Sequence, residues 1–228
     1  MHRSVWPFTY KKDSLRLENR IMETIRDVAT LRQLLGEPKE TTRCKIHRQL
    51  TEQAQNFIHH SPLVMLSTAT AVGVSTVSPK GDYPGFVQVR NERTLYIPER
   101  QGNKLLFTLH NILENPYIGL LFLVPRTRET LRVHGQACLT TDPGLCRELS
   151  AHNQPALLAI KVDVTESYFH CGKALIRSDL WNPESWGEGV PISFATEIAA
   201  NKSMSQDSIG ELENAIASSY QNTLRSER

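Results

Sequence analysis

Apolar positions in the first sixty residues recur three and four apart. Ile21, Ile25, Val28, Leu31 and Leu35 form one series, which predicts an amphipathic helix stopped by Gly36 and Pro38. Ile46, Leu50, Ala54, Phe57 and Ile58 form a second, ended by Ser61-Pro62. The period then falls to two. Leu63 to Thr68 is a short apolar run, and Val72 to Val77 is β-branched around Gly73. Phe86, Val87 and Val89 lead through Asn91-Glu92, a hairpin turn, into a strand from Thr94 to Ile97. The stretch between, Ser78 to Phe86, is rich in turn formers and reads as a loop. Gly102 to Glu114 reads as one helix with Leu105, Leu106, Leu109, Ile112 and Leu113 on its apolar side, broken by Asn115-Pro116. Strands follow at Tyr117 to Val124, Glu129 to Thr140 and Ala156 to Val164. Asp142 is placed to cap a short helix with Pro143 at its first position. Ile209, Leu212, Ala215, Ile216 and Tyr220 mark a last helix.

Six or seven short strands joined by turns, with one internal helix and helices at both ends, predict an α+β fold. It is mainly β, built on an antiparallel barrel rather than a doubly wound sheet. The expected organisation is a single domain. Residues 1–60 form a helical extension packed on the barrel, residues 61–190 the barrel, and residues 191–228 a helical tail.

Composition narrows the function. The 228 residues carry 26 Lys plus Arg against 24 Asp plus Glu, a net charge of +2. So small an excess argues against a nucleic-acid binder. The two N-terminal helices do not suggest a DNA-reading unit either, because the second carries Glu52 and glutamines instead of a basic face. The longest apolar run, Ile118 to Val124, is far shorter than the ~20 residues of a membrane span. Met1 to Tyr10 has no apolar signal core. Cys44, Cys138, Cys146 and Cys171 are widely spaced without a C-x-x-C pair, as expected of reduced thiols in a cytoplasmic protein. No metal site is expected: Cys44 with His47, His59-His60 and His134 with Cys138 do not make a four-ligand set. Phosphate-loop, dinucleotide-fingerprint, H-E-x-x-H and G-x-S-x-G motifs are all missing.

Charge is uneven, however. Residues 80–132 hold eight basic and five acidic groups. Ser78 and Lys80 stand in one turn-rich segment. Arg100, Asn103 and Lys104 stand at the start of the expected internal helix, where unpaired amides and the helix dipole favour an anion. Arg132 falls inside an alternating strand, on the side away from Leu131 and Val133.

These residues carry a resemblance. The run Ser78 to Phe86, Ile97-Pro98 with Gly102-Asn103-Lys104, Asn111-Ile112-Leu113 with Asn115-Pro116, Gly119 to Phe122, and Glu129 to Gly135 resemble the pyridoxamine 5′-phosphate oxidase-related, FMN-binding split-barrel family. One branch of it has Ser-Pro-Arg-Gly-Asp, here Ser78 to Asp82 with Lys80 for Arg, and a later motif matched by Tyr168 to Leu175 and by Arg177, Ser178, Leu180 and Trp181. The likeness spans roughly residues 20–225. It implies a six-stranded antiparallel split barrel, a homodimer with FMN at the interface, and two-electron redox on a small molecule, with a nicotinamide as possible electron donor. It further implies FMN contacts from Ser78, Lys80, Asn103 and Lys104 at the phosphate and from the backbone of Ile97 and Pro98 beside the ring, with Gly81 and Arg100 also among the cofactor-binding candidates. Thr130, Arg132 and Lys173 complete the implied set. The second reading is a non-enzymatic flavin- or haem-binding or sensing protein on the same barrel, with His110, His134 or His170 as haem ligands. Thr76 and His134 depart from the branch, which has Asp and Asn there. The C-terminal arginine and histidine pattern that holds pyridoxamine phosphate in true oxidases has no match here.

Overall fold

The computed structural model describes residues 24–151, 153–202 and 204–225, with side chains to residue 221. Met1 to Tyr10 and Ile21 lie outside them. The chain divides into two compact units, Met1–Arg43 and Cys44–Arg228.

The first unit contains α1 (Val28–Leu35) and α2 (Glu40–Arg43). Asp27 caps α1 by accepting from the Thr30 amide at 2.7 Å, and Gly36 ends it at φ +77°. None of α1's side chains is buried.

The second unit is built on α3 (Glu52–His60), seven strands and five further helices. The strands are β1 (Leu63–Ala69), β2 (Ser75–Gly81), β3 (Gln88–Asn91), β4 (Thr94–Glu99), β5 (Tyr117–Leu123), β6 (Thr130–Thr140) and β7 (Leu158–His170). The helices are α4 (Phe107–Glu114), α5 (Pro143–Glu148), α6 (Lys173–Arg177), α7 (Phe194–Asn201) and α8 (Gln206–Arg225). Every pairing is antiparallel, in the order β2-β1-β5-β6-β7-β4-β3. The architecture is thus the expected α+β with an antiparallel sheet, but the sheet has seven strands, not six, and its ends β2 and β3 do not pair. The Asn91 side chain accepts from the Arg93 amide at 2.8 Å, and this tight turn lets residues 88–99 complete a hairpin of two strands.

Alternation along the strands sorts the two faces. Val64 and Leu66, Ile118, Leu120 and Phe122, Leu131 and Val133, Ile160 and Val162, and Leu95 and Ile97 all point inward. Leu50, Ala54 and Ile58 of the α3 segment and Leu109 and Ile112 of α4 cover them, closing one apolar core. Burying each such side chain is worth about 1.5–3 kcal/mol. A smaller cluster forms where α5 meets β7, from Cys146, Leu149, Ala156 and Ala159. Asp142 caps α5 as its sequence position predicts, accepting from the Leu145 amide at 2.7 Å, with Pro143 in the first turn. No helix among the described residues is long and apolar enough to cross a membrane.

Besides α3, which begins at Glu52 and not at Ile46, three boundaries differ from the pattern-based expectation, and two of these bear on the site. The expected strand Val72 to Val77 and loop Ser78 to Phe86 are shifted: β2 takes in Ser75–Gly81, Pro79 included. The register to β1 explains how proline fits. The Thr70 amide bonds Val74 O and the Asp82 amide bonds Pro62 O, so even-numbered residues of β2 face β1's hydrogen bonds. Pro79, opposite Met65, turns its nitrogen to the free edge, where the strand loses no ladder bond. The expected helix from Gly102 begins only at Phe107, because Lys104 and Leu106 take left-handed φ of 60° and 57°. Third, β7 runs six residues past Val164, where its alternation dissolves into the polar Thr165-Glu166-Ser167.

One internal polar cluster ties α4 to the first hairpin. The amide of Asn111, only 4% exposed, donates to the hydroxyls of Thr68 and Thr76 at 3.0 Å each, and those hydroxyls are 3.1 Å apart. Asn111→Ala should therefore lower stability by about 1–3 kcal/mol, the cost of removing two hydrogen bonds from this largely buried cluster. A urea midpoint equal to wild type would show that the cluster is not structural.

Candidate functional site

The inner face of β2 continues past the core as Thr76, Ser78 and Lys80, paired with Thr68, Leu66 and Val64 of β1. Ser78 meets the first turn of α4: the Thr108 hydroxyl donates to Ser78 Oγ at 2.7 Å. Thr108 is buried, so the α4 N-terminus is fixed over β2 at this point. The N-cap position is Leu106, and no side chain caps the turn. Amides there are uncapped, with the positive end of the helix dipole behind them.

Two ion pairs lie further along the same segment, at Lys80 and at Asp82. Lys80 Nζ donates to both carboxylate oxygens of Glu99, at 2.7 and 2.5 Å, with both side chains largely covered. Arg100 reaches Asp82 Oδ2 through Nε and Nη2, at 3.2 Å each. Its other terminal nitrogen, Nη1, is buried without a hydrogen-bond partner among the described residues. Beside this pair lies a cavity of about 310 Å³, lined by Asp82, Tyr83, Phe86, Gln88 and Glu148 among others.

The candidates named from sequence fall into two places. Ser78, Lys80 and Gly81 lie on β2, Ile97 and Pro98 on β4, and Arg100, Asn103 and Lys104 in the connection to α4. Asn103 and Lys104 are not in the helix's first turn, as expected from the pattern, but three or more residues before Phe107. There the Asn103 side chain accepts from the Leu105 amide at 3.0 Å. Ile97 is a core residue, and Pro98 is buried opposite Ala159. Thr130 and Arg132 lie on β6 and Lys173 opens α6, away from this group in the sheet order. Arg132 faces outward, donating to Tyr168 Oη at 3.3 Å with its guanidinium over the Tyr168 ring. Gly172 seats α6 against the β5–β6 connection: a Cβ there would lie 2.7 Å from Arg128 Cβ.

Thr108, Asp82 and Glu99 were not among the candidates. Asp82 sits in the quoted motif. Thr108 was hidden because the helix was expected to begin five residues earlier. Nothing in the sequence pairs Glu99 with Lys80.

The family model for pyridoxamine 5′-phosphate oxidase matches residues 50–171, from the end of the segment before α3 through β7. No curated protein matches the chain. Among solved structures, HupZ from Group A Streptococcus is 18% identical, over 52% of this chain and 92% of that one, with a TM-score of 0.44. General stress protein 26 from Bacillus anthracis is 16% identical, over 50% and 88%, at 0.38. HutZ, the haem storage protein of Vibrio cholerae, is 12% identical, over 54% and 94%, at 0.37.

Proposed function

Because the chain belongs to the pyridoxamine 5′-phosphate oxidase family, we propose that it binds FMN and works as a two-electron oxidoreductase on a small molecule. The observation that carries this reading is the uncapped α4 terminus, held over Ser78 by Thr108 with Lys80 next along the same strand face. Uncapped helix amides, the neighbouring hydroxyls and an ammonium two residues along the strand are donors of the kind that hold a phosphate monoester. Arg100 Nη1, buried without a hydrogen-bond partner among the described residues, adds an unused donor in the connection from β4 to α4.

In this reading Ser78, Lys80, Asn103 and Lys104 hold the phosphate, with Gly81 and Arg100 beside it. Lys80 keeps a third N–H while Glu99 takes its other contacts. Backbone of Ile97 and Pro98 lies beside the ring, Thr130 and Arg132 contribute from the partner copy of a split-barrel homodimer or from the adjoining strand, and Lys173 lies near the ring or the interface. FMN, when bound, supplies hydride and electron chemistry, while the protein supplies position and electrostatics. A nicotinamide serves as electron donor. The protein works in the cytoplasm, where thiols such as the exposed Cys44, Cys138 and Cys171 stay reduced.

The test is spectral. Purified protein, or protein titrated with FMN, should show a two-band flavin spectrum, and denaturation should release FMN identifiable by mass. A protein that gains no flavin signal overturns the reading. A Soret band from a co-purified pigment replaces it with the haem-binding alternative.

A further inference from the structure

The outer face of the sheet carries a second concentration of chemistry. On β6, His134 lies opposite Gly119 of β5, which in turn lies opposite Ser67 of β1. The glycine leaves a gap in the row. A Cβ at residue 119 would find Ser67 Cβ at 3.7 Å and His134 Cδ2 at 3.9 Å as its nearest neighbours. The gap opens into a groove of about 370 Å³, walled by Ser67, Ser75, Tyr117, His134 and Thr165. That volume falls within the ~300–1,000 Å³ typical of small-molecule sites.

The imidazole on this groove is held from several sides. Nδ1 of His134 lies 3.6 Å from Glu166 Oε1, and the ring stands edge-on to Tyr168 at 6.0 Å and 83°. The ring edge bearing Cδ2 is turned to Gly119. A β-bulge between His134 and Gly135 sets this direction, and bulges re-aim side chains next to functional sites. The Thr165 hydroxyl donates to His134 O at 3.2 Å and fixes the backbone there. Other charged or titratable groups near the ring are Arg132 on β6, Tyr117 on β5, and Lys45, whose ammonium lies over the Tyr168 ring.

We propose that this groove is a ligand site in which His134 exchanges a proton with an acidic O–H or N–H of a small polar ligand. Glu166 is the positioning residue. Its carboxylate lies 3.6 Å from Nδ1, and the opposite ring edge, with Cδ2 and therefore Nε2, is the one turned to the groove. In the forward step the ligand's O–H or N–H bond breaks and its proton forms a new N–H bond at Nε2. The electron pair stays on the ligand heteroatom, and Glu166 balances the imidazolium. The step needs no oxidant and no flavin.

The test uses 4-nitrophenol, a planar ring with one acidic hydroxyl whose colour reports its own ionisation, and protein as purified with ¹³C-labelled histidine. The probe should bind saturably, move the His134 resonances, and ionise at lower pH than when free. Gly119→Leu, which fills the groove, should abolish binding. If that variant does not fold, Gly119→Ala, whose methyl has room, should still weaken binding severalfold. Glu166→Gln should retain binding and reduce the ionisation of the bound probe severalfold, since the carboxylate stabilises the cation formed by proton transfer. His134→Asn should bind without the ionisation shift. The proposal is overturned if the probe leaves His134 unmoved, if both Gly119 variants bind as wild type, or if Glu166→Gln ionises the bound probe as wild type does. None of these readouts uses FMN, so a colourless protein that passes them overturns the flavin reading alone.

Discussion

Gly135→Ala should cost about 3 kcal/mol or more, at the upper end of what overpacking does. A Cβ there would lie 2.4 Å from Asp163 O, 2.9 Å from Val162 Cγ1 and 3.1 Å from Asp163 C. Two of those three atoms are backbone of β7 and cannot swing aside. The clash falls at the bulge between β6 and β7, the two longest strands, and between Val133 and Ala137, which are core residues. The chain would have to give up the local register or splay the two strands. Against a total stability of about 5–15 kcal/mol, this is a large fraction. Gly119→Ala is the matched control: the same change on the neighbouring strand meets only ordinary contacts at 3.7 and 3.9 Å, and should shift stability by less than about 0.5 kcal/mol. Urea unfolding of both variants decides the matter. Equal midpoints would mean that β6 and β7 relax more easily than their geometry allows.

Lys80→Ala combined with Lys104→Ala should weaken FMN binding by roughly a hundredfold or more. Hydrogen bonds to charged groups are worth about 1.5–3 kcal/mol each, and 1.4 kcal/mol is tenfold in affinity. Lys80→Ala carries a second penalty. It strands the Glu99 carboxylate, now without its cation, beside the phosphate. Adding Glu99→Gln to Lys80→Ala should therefore recover part of the lost affinity, which a purely structural role for the pair would not predict. Quenching of flavin fluorescence gives the dissociation constants. Affinity unchanged in the double lysine variant would place the phosphate elsewhere on the molecule.

Much of the fold was legible because strong periodicity survives tertiary context. β1, β4, β5 and β6 lie where alternation put them, and the Asp142-Pro143 signal marked the start of α5. What failed were places where local signals point away from the final structure. Ser78-Pro79-Lys80-Gly81 has the composition of a turn, yet it forms an edge strand because β1 offers it a complete partner. Leu105 and Leu106 continue the apolar series of α4 but lie before it, since two left-handed residues break the helix. The site was only half legible for the same reason. Ser78, Lys80, Arg100 and Asp82 stand in motifs, so they could be named or quoted from sequence. Their partners Thr108 and Glu99 are set by the docking of α4 and by the placing of β4 beside β7, which no short window of sequence contains.

Pro79 has a consequence at the rim of the sheet. The free side of β2 would offer amides from Ser75, Val77, residue 79 and Gly81 to an incoming strand, and the third of these has no hydrogen to give. An open edge is otherwise a template for runaway strand addition, and a proline there is one of the ways proteins blunt it. Two copies of this chain are thus discouraged from joining edge to edge through β2 into a continuous ribbon. Assembly that avoids that route uses the other edge, β3, the faces of the sheet or its helices, and it can close at a fixed number of copies.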